Sequence, residues 1–245
     1  MLKKKFQTLF VLFWLLIFFS KSLAADSLQI AAAANLLYPF QELAKEFEKE
    51  SSVKTKIIFG SSGKLLALLE QGAPFDVFFS ADAKRPEHLY QKGLCFKPVT
   101  YALGVLVFWT EDKKLCKMGW PEALKHVSHL AIANPKLAPY GEAAILALKR
   151  IEFLPSKNSV LLKAPTVSQA FQWAESGNAE ASLIALSLAL SPRGQKGCFL
   201  EIPEAPLIKQ KACVLKGGHT RLAEKFLNFT LSHKGKNILA KYGYK

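Results

Sequence analysis

Short apolar runs alternate with helix-like segments along almost the whole chain. The first run, residues 28–33, has the pattern of a buried strand, and the apolar residues that follow Asn35 recur at the spacing of one helix face. Gly72 and Gly93 stand where the second and third helical patterns end, a position that favours glycine. Strands that alternate with helices are typical of a mostly parallel sheet covered by helices on both sides. The pattern therefore predicts an α/β fold.

Two of the predicted strands are longer than one small lobe requires. Residues 101–109 contain Gly104, a residue at which an extended strand bends easily. Residues 207–215 form a second long extended run before two final helices. Two lobes of about 100 residues, a usual domain size, fit the chain. We predict two doubly wound α/β lobes joined by two hinge strands, with residues 25–104 plus 212–245 in lobe 1 and residues 105–211 in lobe 2.

Four of the predicted strand-to-helix junctions contain small or polar residues and no carboxylate or imidazole. They are Ala33-Ala34-Asn35-Leu36, Gly60-Ser61-Ser62-Gly63, Ala138-Pro139-Tyr140-Gly141 and Pro165-Thr166-Val167-Ser168. In open α/β sheets ligands bind beyond the carboxyl ends of the strands, where helix starts present unpaired N–H groups with a partial positive charge. Four such helix starts in one cleft would bind an anion through hydrogen-bond donors alone. These residue types favour a binding protein over an enzyme.

The first 24 residues have the three regions of a secretory signal. Three lysines follow Met1 and Leu2, an apolar segment comes next, and small residues precede the end of the segment at Ala24. The apolar core, residues 9–19, is eleven residues long, which is shorter than the ~20 residues that span a bilayer. We predict cleavage near Ala24 and a periplasmic location. The residue directly after that point is Ala25 and not a cysteine, which argues against a lipid-anchored form.

The exported chain is strongly basic. Residues 1–24 contain four lysines and no acid, so their removal changes the formal net charge from +14 to +10. A positive field raises the arrival rate of anions. Basic residues are scattered, and no basic run in the mature chain exceeds two residues, as at Lys113-Lys114. Nucleic acid is therefore not an expected partner.

Cys95, Cys116, Cys198 and Cys213 form an even set. An oxidising compartment permits one or two disulfides among them. The spacing leaves all three full pairings open. It contains no C-x-x-C motif, so it indicates neither metal nor redox chemistry.

Two further patterns are weak signs of chemistry. Glu122, His126 and His129 have E-x3-H-x2-H spacing, but such residues on one short amphipathic helix are more typical of a solvated face, so no metal cation is predicted. Ser61 and Ser62 do not lie in a G-x-S-x-G elbow, and no histidine is near them in sequence. We predict neither nucleophilic catalysis nor a cofactor.

An ordered set of motifs resembles the periplasmic molybdate-binding proteins of ABC importers. The set covers nearly all of the mature chain in the family's order and spacing. Its members are Ala-Ala-Ala-Asn after the first strand, Gly60-Ser61-Ser62-Gly63, G-A-P-F-D-V-F-F-S-A-D over residues 72–82, Asn134-Pro135 with Ala138-Pro139-Tyr140-Gly141, and Val167-Ser168-Gln169-Ala170.

The resemblance implies a type II periplasmic-binding-protein fold that closes on a tetrahedral dianion. Carried over by position, Asn35 and Ser62 from one lobe and Tyr140 and Val167 from the other would contact the ion. The implied donors are backbone N–H groups, joined by the hydroxyl of Ser62 and with the amide of Asn35 as a further candidate. Ala185 stands near the place where some members have a tyrosine, and many members have a serine in place of Asn35.

The expected function is capture of molybdate, with tungstate, by a monomer that delivers it to an ABC permease. Hydrogen phosphate carries a proton that an all-donor cage leaves unpaired, at a cost of about 1–3 kcal/mol. A receptor for sulfate or another tetrahedral oxyanion stays open, because the sequence does not give the cavity size. A signalling receptor also stays open, as does a periplasmic hydrolase on the same fold, which would require a reactive Ser62.

Overall fold

The computed structural model describes residues 27–153 and 160–245. The predicted signal segment, residues 1–24, lies outside the described residues. The strands are β1 (Leu28–Ala33), β2 (Thr55–Gly60), β3 (Val77–Phe79), β4 (Val99–Gly104), β5 (Leu106–Thr110), β6 (His129–Ala133), β7 (Val160–Ala164), β8 (Ala181–Ala185), β9 (Cys198–Glu201) and β10 (Ile208–Val214).

Helices connect most of these strands, and short 3-10 segments supplement them. The α-helices are α1 (Leu37–Ser51), α2 (Ser62–Glu70), α3 (Lys84–Gln91), α4 (Lys113–Met118), α5 (Pro139–Arg150), α6 (Val167–Glu175), α7 (Leu186–Ala189), α8 (Thr220–Leu231) and α9 (His233–Lys241). The 3-10 segments are Ala34–Leu36, Glu122–His126 and Gly194–Lys196. The short amphipathic helix expected around Glu122 and His126 is thus a 3-10 segment.

Two five-stranded mixed sheets, in the order β2-β1-β3-β10-β4 and β7-β6-β8-β5-β9, form the cores of two lobes. In the first sheet β1 is parallel to β2 and β3, and β10 runs antiparallel to β3 and β4. In the second sheet β6 is parallel to β7 and β8, and β5 runs antiparallel to β8 and β9. The predicted two-lobed α/β class is confirmed.

The chain changes sheets at Val105. The run predicted as one strand over residues 101–109 is two strands, because β4 ends at Gly104 in the first sheet and β5 begins at Leu106 in the second. A Cβ atom on Gly104 would lie 2.2 Å from both Gln210 Nε2 and Tyr140 Oη, so a larger residue at this crossing would displace the hydrogen bond between these two side chains.

The chain returns to the first sheet over residues 202–207, between β9 and β10. The whole of β10 pairs inside that sheet, beginning with Ile208 opposite Gly104. The lobe boundary predicted between residues 211 and 212 therefore falls inside β10.

An aromatic cluster fills the first lobe between α1, α8 and the sheet. Phe40 packs edge-on against Phe79 with ring centroids 4.8 Å apart, and Phe47 packs against Phe226 at 5.0 Å. All four side chains are almost fully buried. Each such pair adds about 0.5–1.5 kcal/mol beyond the burial of its apolar area, so α1 and α8 are firmly held on one face of the sheet.

One disulfide joins Cys116 in α4 to Cys198 in β9, inside the second lobe. Cys95 and Cys213 are buried free thiols in the first lobe. Their side chains belong to a small apolar cluster that also contains Phe78. Of the one or two disulfides predicted, the structure contains one.

Within the described residues, none of the helices has the length and apolar content needed to cross a membrane.

Candidate functional site

The strand registers place the four predicted helix starts side by side in pairs. The last register pair of β1 and β2 is Ala33 with Gly60, so the 3-10 segment before α1 and the start of α2 are neighbours. The last pair of β6 and β7 is Ala133 with Ala164, so α5 and α6 start near the same edge of the second sheet. Each lobe thus contributes two adjacent helix starts at the carboxyl ends of parallel strands.

Each of the four predicted ligand residues lies in a first turn. Ser62 and Val167 are the first residues of α2 and α6, Tyr140 is the second residue of α5, and Asn35 is the second residue of the 3-10 segment. The exposed fraction of Val167 is 3%, and that of each of the other three is 1%. N–H groups in a first helical turn have no intrahelical acceptor, so they attract an anion.

Several hydrogen bonds join the two lobes across this cleft, and three of them involve main-chain groups near the helix starts. Gly63 N–H donates to the carbonyl of Leu137 at 2.8 Å, which links the start of α2 to the loop before α5. Ser168 Oγ donates to the carbonyl of Ala34 at 2.9 Å, and Ser187 Oγ donates to the carbonyl of Asn35 at 2.7 Å. The structure is therefore a closed form, in which the four helix starts meet between the lobes.

The side chain of Ser62 is fixed by the protein and still has a donor to offer. Its Oγ accepts a hydrogen bond from Ala81 N–H at 3.0 Å. The hydroxyl hydrogen is then available to a ligand, together with the N–H of the same residue. The partner of Ser62 Oγ is a backbone N–H and not a base, so this bond does nothing to activate a nucleophile.

The amide of Asn35 is engaged inside the protein. Its Nδ2 donates to Gln210 Oε1 at 3.0 Å and to Tyr244 Oη at 2.7 Å. These bonds use both amide hydrogens, so the backbone N–H is the group of Asn35 that remains for a ligand. Asn35 Oδ1 is buried and has no hydrogen-bond partner among the described residues.

A buried polar network connects the cleft to the crossing strands. Tyr101 Oη donates to Gln210 Oε1 at 2.8 Å, and Gln210 Nε2 donates to Tyr140 Oη at 3.2 Å. Burial raises the pKa of Tyr101, Tyr140 and Tyr244 above the ordinary value of 10.0. All three phenols therefore stay protonated at neutral pH and act as neutral hydrogen-bonding groups.

Sequence reasoning missed Gln210 and Tyr244. Tyr101 is 109 residues from Gln210, and Asn35 is 209 residues from Tyr244. Neither Gln210 nor Tyr244 lies at a helix start. Gln210 stands between Lys209 and Lys211, so its local sequence does not mark it as a buried residue.

The two carboxylates in the motif over residues 72–82 bind protein groups. Asp82 forms an ion pair with Arg85 and also accepts a hydrogen bond from Arg85 N–H at 3.1 Å. Asp76 accepts from the N–H groups of Gln29 and His219 at 2.6 and 2.7 Å. Both acids hold loops in place, as their positions around a strand suggest.

The structure separates the residues of the E-x3-H-x2-H pattern. His126 Nε2 lies 3.7 Å from Glu122 Oε1, whereas His129 Nδ1 lies 3.4 Å from Glu180 Oε2. In the described part of the chain, no group of three or more histidine, cysteine or acidic residues is arranged to hold a metal ion. Ala185, at the end of β8, is fully buried and offers no side-chain donor to the cleft.

Comparison with known proteins agrees with this architecture. The molybdate-binding protein ModA of Rhodobacter capsulatus is 33% identical over 224 residues, which cover 90% of this chain and 89% of that protein. ModA of Azotobacter vinelandii is 33% identical over 227 residues, which cover 90% of each.

Solved structures give the same picture. The periplasmic molybdate-binding protein of A. vinelandii matches with a TM-score of 0.83 and 31% identity, over 89% of this chain and 98% of that one. The sulfate-binding protein SubI of Mycobacterium tuberculosis matches with a TM-score of 0.77 at 15% identity, over 89% of this chain and 86% of that one, which shows a shared fold alone. A family model described as bacterial extracellular solute-binding protein matches residues 28–245. The chain therefore belongs to the bacterial extracellular solute-binding proteins, a family of substrate-binding transport proteins.

Proposed function

We propose that this protein is a periplasmic receptor that captures molybdate, and tungstate with it, and delivers the ion to an ABC permease. The observation that carries the proposal is the meeting of four buried helix starts, two from each lobe, at a place where Ser62 keeps a free hydroxyl hydrogen. Relatives that share a third of their residues with this chain are named molybdate-binding proteins, which supports the same ligand.

The proposed contacts are the N–H groups of Asn35, Ser62, Tyr140 and Val167 and the hydroxyl of Ser62. Each of these residues lies in a first turn, where the N–H groups and the helix dipole both favour negative charge. A site that offers only hydrogen-bond donors suits a dianion that carries no proton of its own. The protein is proposed to act as a monomer without cofactor or catalysis, after cleavage of its signal near Ala24.

A thermal-shift panel of molybdate, tungstate, sulfate and phosphate tests the ligand. A ligand that binds only the folded protein stabilises it by about 2.7 kcal/mol at a hundredfold excess over Kd. For a protein of this size that is a rise of roughly 5–10 °C in Tm. Molybdate and tungstate should give this rise and phosphate little. A larger rise with sulfate would make the protein a sulfate receptor, and equal rises with phosphate and molybdate would contradict the donor-only site.

Substitution of neighbouring serines tests the contacts. Ser62→Ala keeps the N–H group but removes one hydrogen bond to a charged ligand, worth about 1.5–3 kcal/mol. Molybdate affinity measured by titration calorimetry should therefore fall about ten- to a hundredfold. Ser61→Ala is the matched control, because Ser61 precedes α2 and its side chain makes no capping bond. A greater loss in Ser61→Ala than in Ser62→Ala would refute the proposed contacts in this loop.

A further inference from the structure

The carboxyl-terminal residues lie between the crossing strand β4 and the second lobe. Lys245 N–H donates to the carbonyl of Leu103 at 3.0 Å, and Leu103 N–H donates back to the carbonyl of Lys245 at 2.7 Å. A Cβ atom on Gly243 would lie 2.4 Å from Leu186 Cδ2, in α7 of the second lobe. Gly243 also has a φ of +78°, which only glycine adopts without strain. The end of the chain is therefore firmly placed beside the cleft.

The residue between these two anchors is Tyr244, and its side chain points into the protein. It is 7% exposed. Its Oη accepts from Asn35 Nδ2 at 2.7 Å and lies 3.0 Å from the carbonyl oxygen of Asn35, to which it donates. The same Oη lies 3.3 Å from Ser187 Oγ, which belongs to the second lobe. One hydroxyl thus contacts the side chain and the main chain of a proposed ligand residue, and also the opposite lobe.

The tyrosine and serine hydroxyls act on Asn35 together. Ser187 Oγ also donates to the Asn35 carbonyl, at 2.7 Å. The main chain on the carboxyl side of Asn35 is therefore held by two donors, while its side chain is held by Tyr244 and Gln210. Because burial raises the pKa of Tyr244, its hydroxyl keeps its proton at neutral pH and remains a donor.

We propose that Tyr244 is a positioning residue for the ligand: it holds the side chain and the carbonyl of Asn35, it thereby restricts the backbone at the Cα atom from which the Asn35 N–H is presented, and it ties that residue to the closed second lobe. This inference rests on the proposed function. Tyr244 itself is not assigned a ligand contact. Its effect on binding passes through Asn35, whose backbone and amide both depend on the tyrosine hydroxyl.

The test is titration calorimetry of the full mature protein with sodium molybdate, comparing wild type with Tyr244→Phe. The variant retains the ring and its packing, and loses only the hydroxyl. Affinity should fall about tenfold, as expected for the loss of a bond that orients a ligand donor. Stopped-flow release of molybdate should become faster by a similar factor, because the closed form loses one of its links between lobes.

Tyr242→Phe is the matched control. Tyr242 lies two residues away in the same tail, and its hydroxyl donates to Glu42 Oε2 at 3.0 Å on the outer side of the first lobe. Loss of the Tyr242 hydroxyl should leave molybdate affinity unchanged. Urea unfolding of the ligand-free proteins shows whether either variant is simply less stable, since a purely structural tyrosine would lower the unfolding midpoint and leave Kd alone.

A double-mutant cycle with Asn35→Ala identifies the route of the effect. If Tyr244 acts through Asn35, the two substitutions should be non-additive, and Tyr244→Phe should cost clearly less affinity in the Asn35→Ala background than in wild type. Because Asn35→Ala keeps the main-chain carbonyl that Tyr244 also binds, multiplicative effects would overturn the route through the Asn35 side chain. Wild-type affinity in Tyr244→Phe would overturn the inference, while wild-type protein that fails to bind molybdate would overturn the proposed function and this inference with it.

Discussion

A methyl group on Gly63 would meet the opposite lobe. In the closed form a Cβ atom at this position lies 2.9 Å from the carbonyl oxygen of Leu137 and 3.2 Å from its Cα, both of which are backbone atoms of the second lobe. The side chain of Arg85 is also close, with Nη2 at 3.3 Å from the same Cβ position. Gly63→Ala should therefore hold the lobes slightly apart and weaken ligand binding.

The size of the loss in affinity follows from the fact that the methyl group clashes with the second lobe only in the closed form. Overpacking by a methyl group costs about 1–3 kcal/mol when backbone must move, and here the cost applies to the closed form alone. Molybdate affinity should then fall by about five- to 150-fold. In the ligand-free open form the same change adds a better helix former to α2, an effect of at most about 1 kcal/mol in favour of folding. Binding should weaken while the Tm of the ligand-free protein stays the same or rises.

Titration calorimetry and thermal melts of the ligand-free protein measure the two effects separately. Gly60→Ala is the control, because a Cβ atom there meets only the flexible Leu65 side chain of its own lobe, at 3.3 Å. That variant should bind within about threefold of wild type. Undiminished affinity in Gly63→Ala would refute the idea that binding requires the closed form described here.

Three further predictions concern charges and thiols. Lys84 Nζ in the first lobe lies 2.8 Å from Glu142 Oε1 in the second lobe, and Glu142→Gln removes this exposed ion pair. The affinity of the protein for molybdate should fall less than about fivefold. This loss should vanish in 1 M salt, because salt screens exposed ion pairs. A hydrogen bond from Lys234 lowers the pKa of Glu46 from 4.5 to about 2. The stability from this pair is therefore present above pH 4.5 and lost as the pH falls towards 2, so Glu46→Gln should lower the urea midpoint at pH 7 and not at pH 2. Hydrogen bonding to a neighbouring thiol and burial raise the pKa of Cys213, so iodoacetamide at pH 8 should label it only after unfolding, as read by mass spectrometry.

Local patterns are strong enough to predict most of this architecture. Buried parallel strands are continuous apolar runs, and the helices that follow them begin at small or polar residues, so the four helix starts are visible in the sequence. Gly104, the glycine inside the long run over residues 101–109, is also the last residue of β4. These features depend on neighbours within a few residues along the chain.

Features that depend on distant contacts were not predictable in the same way. An extended run such as residues 207–215 has the same sequence pattern whether it bridges two sheets or, as β10 does, lies wholly within one. Tyr244 sits in a short polar tail, and nothing in its local sequence indicates that its hydroxyl reaches Asn35. The pairing of Cys116 with Cys198 likewise depends on how α4 and β9 meet in space.

The strand order also determines when each lobe can be completed during synthesis. The second sheet uses strands from one continuous stretch, β5 to β9, so it can form as soon as that stretch is available. In the first sheet β10 lies between β3 and β4, so those two strands have open edges until residues 208–214 have been made. Open edges invite pairing with other chains, and domains generally fold as units in the order in which they are completed. The lobe whose synthesis begins first is therefore the lobe that is finished last.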